Sequence, residues 1–199
     1  MKLLNIASIA LVSLSLISAA AYSAEKNHTF GLVTGFASGE YKNSSKDGDG
    51  FVQAYLYYNY QVIDNLSVEV AYTGAQDLND WDCNEDEDDV WTCRFDDDEP
   101  IFSLYANDFD LDGFVAAIKG DIDLSQRNSL YGKIGAQYYD YEFSRNDRFV
   151  EGDSGTGLFL EAGWQYRWDL GIGMNAGLRY QDMGDLEFVS SNVGISYTF

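Results

Sequence analysis

Eight stretches of this chain alternate residue by residue between two faces, and in the middle strands one of those faces is uniformly apolar. A period of two is the signature of a β-strand, because successive side chains leave the backbone on opposite sides. The opposite face collects amides, hydroxyls and charges. A soluble sandwich would turn its polar face outward and bury the other, whereas a sheet whose outside meets hydrocarbon needs the arrangement found here.

The runs are Thr29 to Phe36, Phe51 to Val62, Leu66 to Thr73, Leu111 to Ile122, Ser129 to Tyr139, Leu158 to Trp168, Ile172 to Gln181 and Val189 to Phe199. Three connections are short: Ile63 to Asn65, Asp123 to Asn128 and Asp169 to Gly171. Four are longer: Lys42 to Gly50, Gly74 to about Asp110, Phe143 to Gly157 and Asp182 to Phe188. Alternating short and long connections are what a chain produces when it crosses a membrane repeatedly, with short turns on the periplasmic side and long loops outside. Outward aromatics then gather at two heights. Phe30, Tyr58, Tyr60, Tyr166, Trp168, Tyr197 and Phe199 fall at one set of strand ends, and Phe36, Tyr72, Tyr138 and Tyr180 at the other. The expected fold is all-β: an eight-stranded antiparallel up-and-down transmembrane β-barrel.

The first 23 residues read as a signal peptide, with Lys2 ahead of an apolar run from Leu3 to Ile17 and small residues around Ala21 and Ser23. Residues 24–199 form the expected barrel domain of an exported protein, in which no apolar run is long enough for a membrane helix. The whole chain carries 12 basic and 33 acidic residues, for a net charge of −21. The leader contributes only Lys2, so the mature chain is one unit more negative. Nucleic acid is excluded as a partner on this balance.

The terminal run Val193-Gly194-Ile195-Ser196-Tyr197-Thr198-Phe199 resembles the recognition signal of outer-membrane barrels. With the four-loop layout, the mature chain is similar to the OmpX/Ail group and to the membrane domain of OmpA. That resemblance implies that Tyr197 and Phe199 are read by the barrel-insertion machinery. It also implies a place in the outer membrane among its lipid and lipopolysaccharide. The expected role is surface interaction with a host or other external ligand, or envelope integrity, exercised through extracellular loops. A small-solute or ion channel, porin-like in character, is the alternative.

An eight-stranded barrel is just wide enough for side chains to fill. Glu69, Lys119, Lys133, Glu161, Arg167 and Arg179 fall on the inward faces. An unpaired buried charge costs several kcal/mol by order of magnitude, so these six are expected to pair as a salt-bridge network that plugs the lumen. Glu69 and Lys119, on adjacent strands at comparable depth, are candidate partners.

The loop of about 74–110 carries twelve carboxylates between Gln76 and Pro100, opposed only by Arg94. Such a run is either a solvated segment or a divalent-cation site, since calcium and magnesium take several carboxylate oxygens. The candidate ligands are Asp86, Asp88, Asp96, Asp97 and Asp98, with no other cofactor expected. Cys83 and Cys93, in one polar segment of an exported chain, are read as a disulfide closing the loop. Asp108-x-Asp110-x-Asp112-Gly113 opens like a calcium loop, but Lys119 stands where the twelfth-position glutamate belongs, which rejects an EF-hand. The single histidine, His28, has no serine-nucleophile pattern beside it, so no enzymatic activity is expected.

Overall fold

The computed structural model describes residues 27–42, 44, 48–77, 80–85, 91–96, 101–102, 104, 106–146 and 148–199. The regular elements are strands: β1 His28–Tyr41, β2 Gly48–Ile63, β3 Leu66–Asp77, β4 Asp80–Glu85, β5 Trp91–Asp96, β6 Asp108–Asp123, β7 Asn128–Arg145, β8 Arg148–Arg167, β9 Ile172–Met183 and β10 Leu186–Thr198. Eight of them close a barrel in the order β1-β10-β9-β8-β7-β6-β3-β2, every neighbour antiparallel, while β4 and β5 pair separately as a hairpin.

The barrel follows from the alternation. In β3, Ser67, Glu69, Ala71, Thr73 and Ala75 are buried inside, and Leu66, Val68, Val70 and Tyr72 stand exposed outside. The same inversion runs around the wall, with Phe114 and Ile118 on β6, Ile134 and Tyr138 on β7 and Leu178 on β9 exposed. A band of large apolar side chains facing out, with polar ones inside, is stable only with hydrocarbon around it.

At the end carrying the short turns, called lower here, the strand ends lie close to their sequence-based limits. Asn65 and Gly171, at positive φ (62° and 86°), make two of these turns. At the upper end the strands run further than expected. The segment Phe143 to Gly157, expected as a loop, is the top of β7 and β8, joined at Asn146 (φ 52°), with a register shift between Phe143 and Ser144. Asp182 to Phe188 likewise shrinks to a tight turn at Gly184 (φ 74°). The expected limits followed the lipid-facing residues. Above that band the outward positions turn polar (Asp108, Asp110 and Asp112 on β6, Asp140 and Glu142 on β7), while the ladder continues in water.

The upper rim is uneven. β8 pairs with β7 along its whole length, but with β9 only from Phe159 to Arg167. Arg148 to Leu158 therefore have a ladder partner on one side alone. Tyr138 marks the upper aromatic level, and Arg145 lies seven residues further along β7. At about 3.3 Å per residue and a tilt near 40°, the hairpin tip rises roughly 18 Å above that level.

Candidate functional site

Two features concentrate the chemistry of this chain: the filled lumen and the open edge of β8. The lumen is filled in layers. Its uppermost layer is apolar, built from Tyr41, Phe51, Phe109, Phe143, Met183 and Phe188 on the inner faces of the strands. Into it folds a turn that follows the acidic hairpin. Phe102, only 1% exposed and at φ 55°, stacks on Phe51 at 5.7 Å and meets Phe143 edge-on at 5.7 Å. The turn is tied by Ile101 N to Ala106 O (3.0 Å), Leu104 N to Ile101 O (2.9 Å) and Ser44 Oγ to Phe102 O (2.6 Å). A β-favouring aromatic at positive φ costs of order 1 kcal/mol or more, and burial of a phenyl ring offsets it with about 2–3 kcal/mol. The only trace of this cork in the sequence is that Ile101, Phe102 and Leu104 follow twelve carboxylates without any period of their own.

Beneath lies an amide layer. Gln53 Nε2 donates to Gln181 Oε1 (2.5 Å), Gln181 Nε2 to Gln137 Oε1 (2.6 Å), and Arg179 Nη1 to Gln53 Oε1 (3.0 Å). The charged layer follows directly. Lys133, Glu161 and Arg179 sit on one continuous rung across β7, β8 and β9. Arg179 donates through Nε to Glu161 Oε2 (2.7 Å), with Nη2 at 2.6 Å from the same oxygen. Lys133 Nζ lies 3.1 Å from Glu161 Oε1 and 2.9 Å from Glu69 Oε2. Tyr131 OH donates to Glu161 (2.9 Å) and Tyr55 OH to Glu69 (2.5 Å). Lys133 Nζ has no aligned hydrogen bond; it meets both carboxylates as a point charge, with the Tyr57 ring 4.9 Å away. The Arg179 guanidinium carbon lies over the Tyr55 ring, 3.9 Å from its centroid. Two cations and two anions share this buried layer, which is therefore neutral.

Lys119 and Arg167 stand apart from it. Glu69 takes Lys133, and Lys119 instead pairs with Asp121 (2.8 Å) and donates to Gln165 (2.8 Å) one layer lower. The barrel stagger explains this: in register, Lys119 faces Ser67 and Lys133, while Glu69 faces Ala117. Arg167, at the lower end of β8, is exposed and lines a polar vestibule with Asn59, Asp121 and Gln165.

The acidic ligand candidates are less defined. Asp86, Asp88, Asp97 and Asp98 lie outside the described residues, and Asp96 ends β5. The β4–β5 register sets Cys83 directly opposite Cys93. Asp108, Asp110 and Asp112 lie on an extended strand, not in a loop, and among the described residues no cluster of three or more potential metal ligands occurs. His28 packs against Tyr58, Tyr60 and Phe199, with Nδ1 2.7 Å from Tyr58 OH. Phe199 exchanges backbone hydrogen bonds with His28 across the β1–β10 seam, and Tyr197 pairs with Phe30 in the ladder.

The second feature is the edge of β8 from Arg148 to Thr156. Its outward residues are Gly152, Ser154 and Thr156; its inward ones include Glu151, which accepts from Tyr41 OH (2.8 Å), and Asp153, which accepts from Tyr139 OH (3.3 Å). At the tip Phe149 is 65% exposed. Gly157 marks where the opening begins, since its backbone already crowds that of Asp182.

A family model described as outer membrane protein beta-barrel domain matches residues 9–199. No curated protein matches the chain. Among solved structures, Neisserial surface protein A (NspA) is similar at a TM-score of 0.65 and 16% identity, over 89% of this chain and 99% of that one. Ail of Yersinia pestis gives 0.57 and 16%, over 88% and 100%; it has also been solved with the heparin analogue sucrose octasulfate. The N-terminal β-barrel domain of Pseudomonas aeruginosa OprF gives 0.52 and 12%, over 87% and 98%. At these identities the likeness is one of fold.

Proposed function

Since the chain belongs to the outer membrane protein beta-barrel domain family and resides in the outer membrane, we propose that it is a non-conducting surface-interaction protein that works through its extracellular rim. Short turns of such barrels face the periplasm, which puts the cork, the β7–β8 tip and the acidic hairpin outside the cell. The observation that carries the reading is the contrast between the two ends of β8. Its lower half is locked in the wall beside a neutral charge layer, and its upper half projects with one edge open. An extended segment of an external protein is the ligand such an edge fits, because main-chain hydrogen bonds complete the sheet.

The choice of ligand class follows from charge. Ail has been solved with a polyanion, but the described rim of this chain is rich in carboxylates: Glu40, Asp110, Asp112, Asp140, Glu142, Glu151, Asp153, Asp182, Asp185 and Glu187. A polyanion meets repulsion there. Divalent-cation binding is part of the proposal and has support on the outer wall, where register sets Asp110 opposite Glu142 and Asp112 opposite Asp140. Like charges directly opposite each other are destabilising, and calcium or magnesium relieves them. No catalytic role is assigned to His28, whose ring is taken up by aromatic contacts.

Planar-bilayer recording tests the non-conducting part. The purified protein is expected to stay silent, and the Phe102→Ala variant as well, because the charge layer below the cork still blocks the section. Stable open channels in the unaltered protein would sink the proposal and favour the channel.

A further inference from the structure

Natural sheets protect a bare edge with proline, lysine, a bulge or a covering loop. The open edge of β8 has a different composition. From Val150 to Thr156 the chain reads Val-Glu-Gly-Asp-Ser-Gly-Thr, with no lysine or proline, and the one register shift makes Val150 the extra residue at the tip end, leaving Glu151 to Thr156 in regular register. Small outward residues leave the backbone accessible, and the two carboxylates both point to the mouth side.

We infer that the segment received by this edge is an extended strand carrying lysine or arginine at alternate positions. The inference rests on the strand-addition reading above and names the partner's chemistry. A strand laid beside β8 places every second side chain on the mouth side, two residues apart like Glu151 and Asp153. The Asp153 carboxylate also lies against Gly184 of the β9–β10 turn, next to Asp185. Lys42 lies 3.9 Å from Asp185 with its Nζ on the Gly184 carbonyl, and Arg148 stands at the tip of the edge, paired in the ladder with Arg145. Among the described residues no ion pair engages Glu151 or Asp153; each holds a tyrosine hydroxyl instead. The opposite side chains of the incoming strand meet the uncharged Gly152, Ser154 and Thr156 as direct neighbours, with Asp140 and Glu142 one strand further away. A second copy of this chain is a poor occupant, because it would bring the same carboxylates to the same places. The recognised element is thus basic-x-basic in an extended backbone, so that a consecutive basic cluster fits poorly.

Four synthetic ten-residue peptides test this on the full protein in nanodiscs, by fluorescence anisotropy. One alternates lysine with threonine; one holds the same residues as two blocks; one alternates valine with threonine; one is the first with every second backbone nitrogen methylated. The alternating lysine peptide is expected to bind about tenfold more tightly than the block and neutral peptides, the worth of two good cross-strand charge pairs. N-methylation is expected to abolish the binding, and amide exchange over residues 148–156 to slow only with the unmethylated alternating peptide. Asp153→Asn, which keeps an acceptor for Tyr139, should shrink the preference for lysine, and Ser154→Lys should weaken every peptide.

Equal binding of the neutral alternating peptide overturns the charge pattern and leaves strand addition standing. Equal binding of the block or methylated peptide overturns both, leaving field attraction. If no peptide binds and exchange is unchanged, the edge is not a docking site.

Discussion

Replacing Glu161 by glutamine removes one charge from a buried layer that balances two cations against two anions. In the intact protein Glu161 serves Arg179 at 2.6 and 2.7 Å, Lys133 at 3.1 Å and Tyr131 at 2.9 Å. After the change Lys133 still has Glu69 at 2.9 Å. Arg179 is left with uncharged partners alone: the new amide oxygen, Gln53 and the Tyr55 ring. Its side chain is 1% exposed, so water cannot replace the carboxylate. Breaking a buried pair from one side costs roughly 3–5 kcal/mol, against a total stability of about 5–15 kcal/mol for an ordinary domain. Equilibrium urea unfolding in phospholipid vesicles, followed by tryptophan fluorescence, should register a loss of that size. Pairing Glu161→Gln with Arg179→Met restores neutrality and should recover at least ~2 kcal/mol, since exchanging a buried ion pair for apolar packing is close to neutral. A single variant within about 1 kcal/mol of the parent, or a double variant no better than the single, would refute the account of a closed, self-balanced layer.

Calcium titration of the full protein and of one lacking residues 82–99 should give different stoichiometries, with tighter uptake by the full protein; identical isotherms would remove the acidic hairpin from cation binding. Mass spectrometry of the purified exported protein should show Cys83 and Cys93 joined, with a gain of two hydrogens on reduction; free thiols that alkylate without reductant would rule the disulfide out.

The lipid-facing halves of the strands were legible because hydrocarbon enforces the alternation. Val68, Val70 and Tyr72 on β3 have no other place to go, and register follows from face. Above the membrane that pressure ends. The upper part of β8, rich in glycine and serine, reads as loop in sequence although it is strand. Inside the barrel, sequence identified charged residues but not their partners. Depth along a strand is visible in the pattern; the stagger between strands is set by pairing, so Lys119 took Asp121 from its own strand in place of Glu69. Phe102 was hidden for a third reason, since a single inserted turn has no period.

The cork also acts as a mooring. Two residues separate the end of β3 at Asp77 from the start of β4, and four separate the end of β5 at Asp96 from Ile101, which is anchored to Ala106 in the mouth. A chain reaches at most about 3.5 Å per residue, so the base of the acidic hairpin is leashed at both ends within roughly 17 Å of the barrel rim. That tether comes from chain length alone, so the charge of this segment stays local to the rim at one effective concentration, whatever the protein's abundance on the cell.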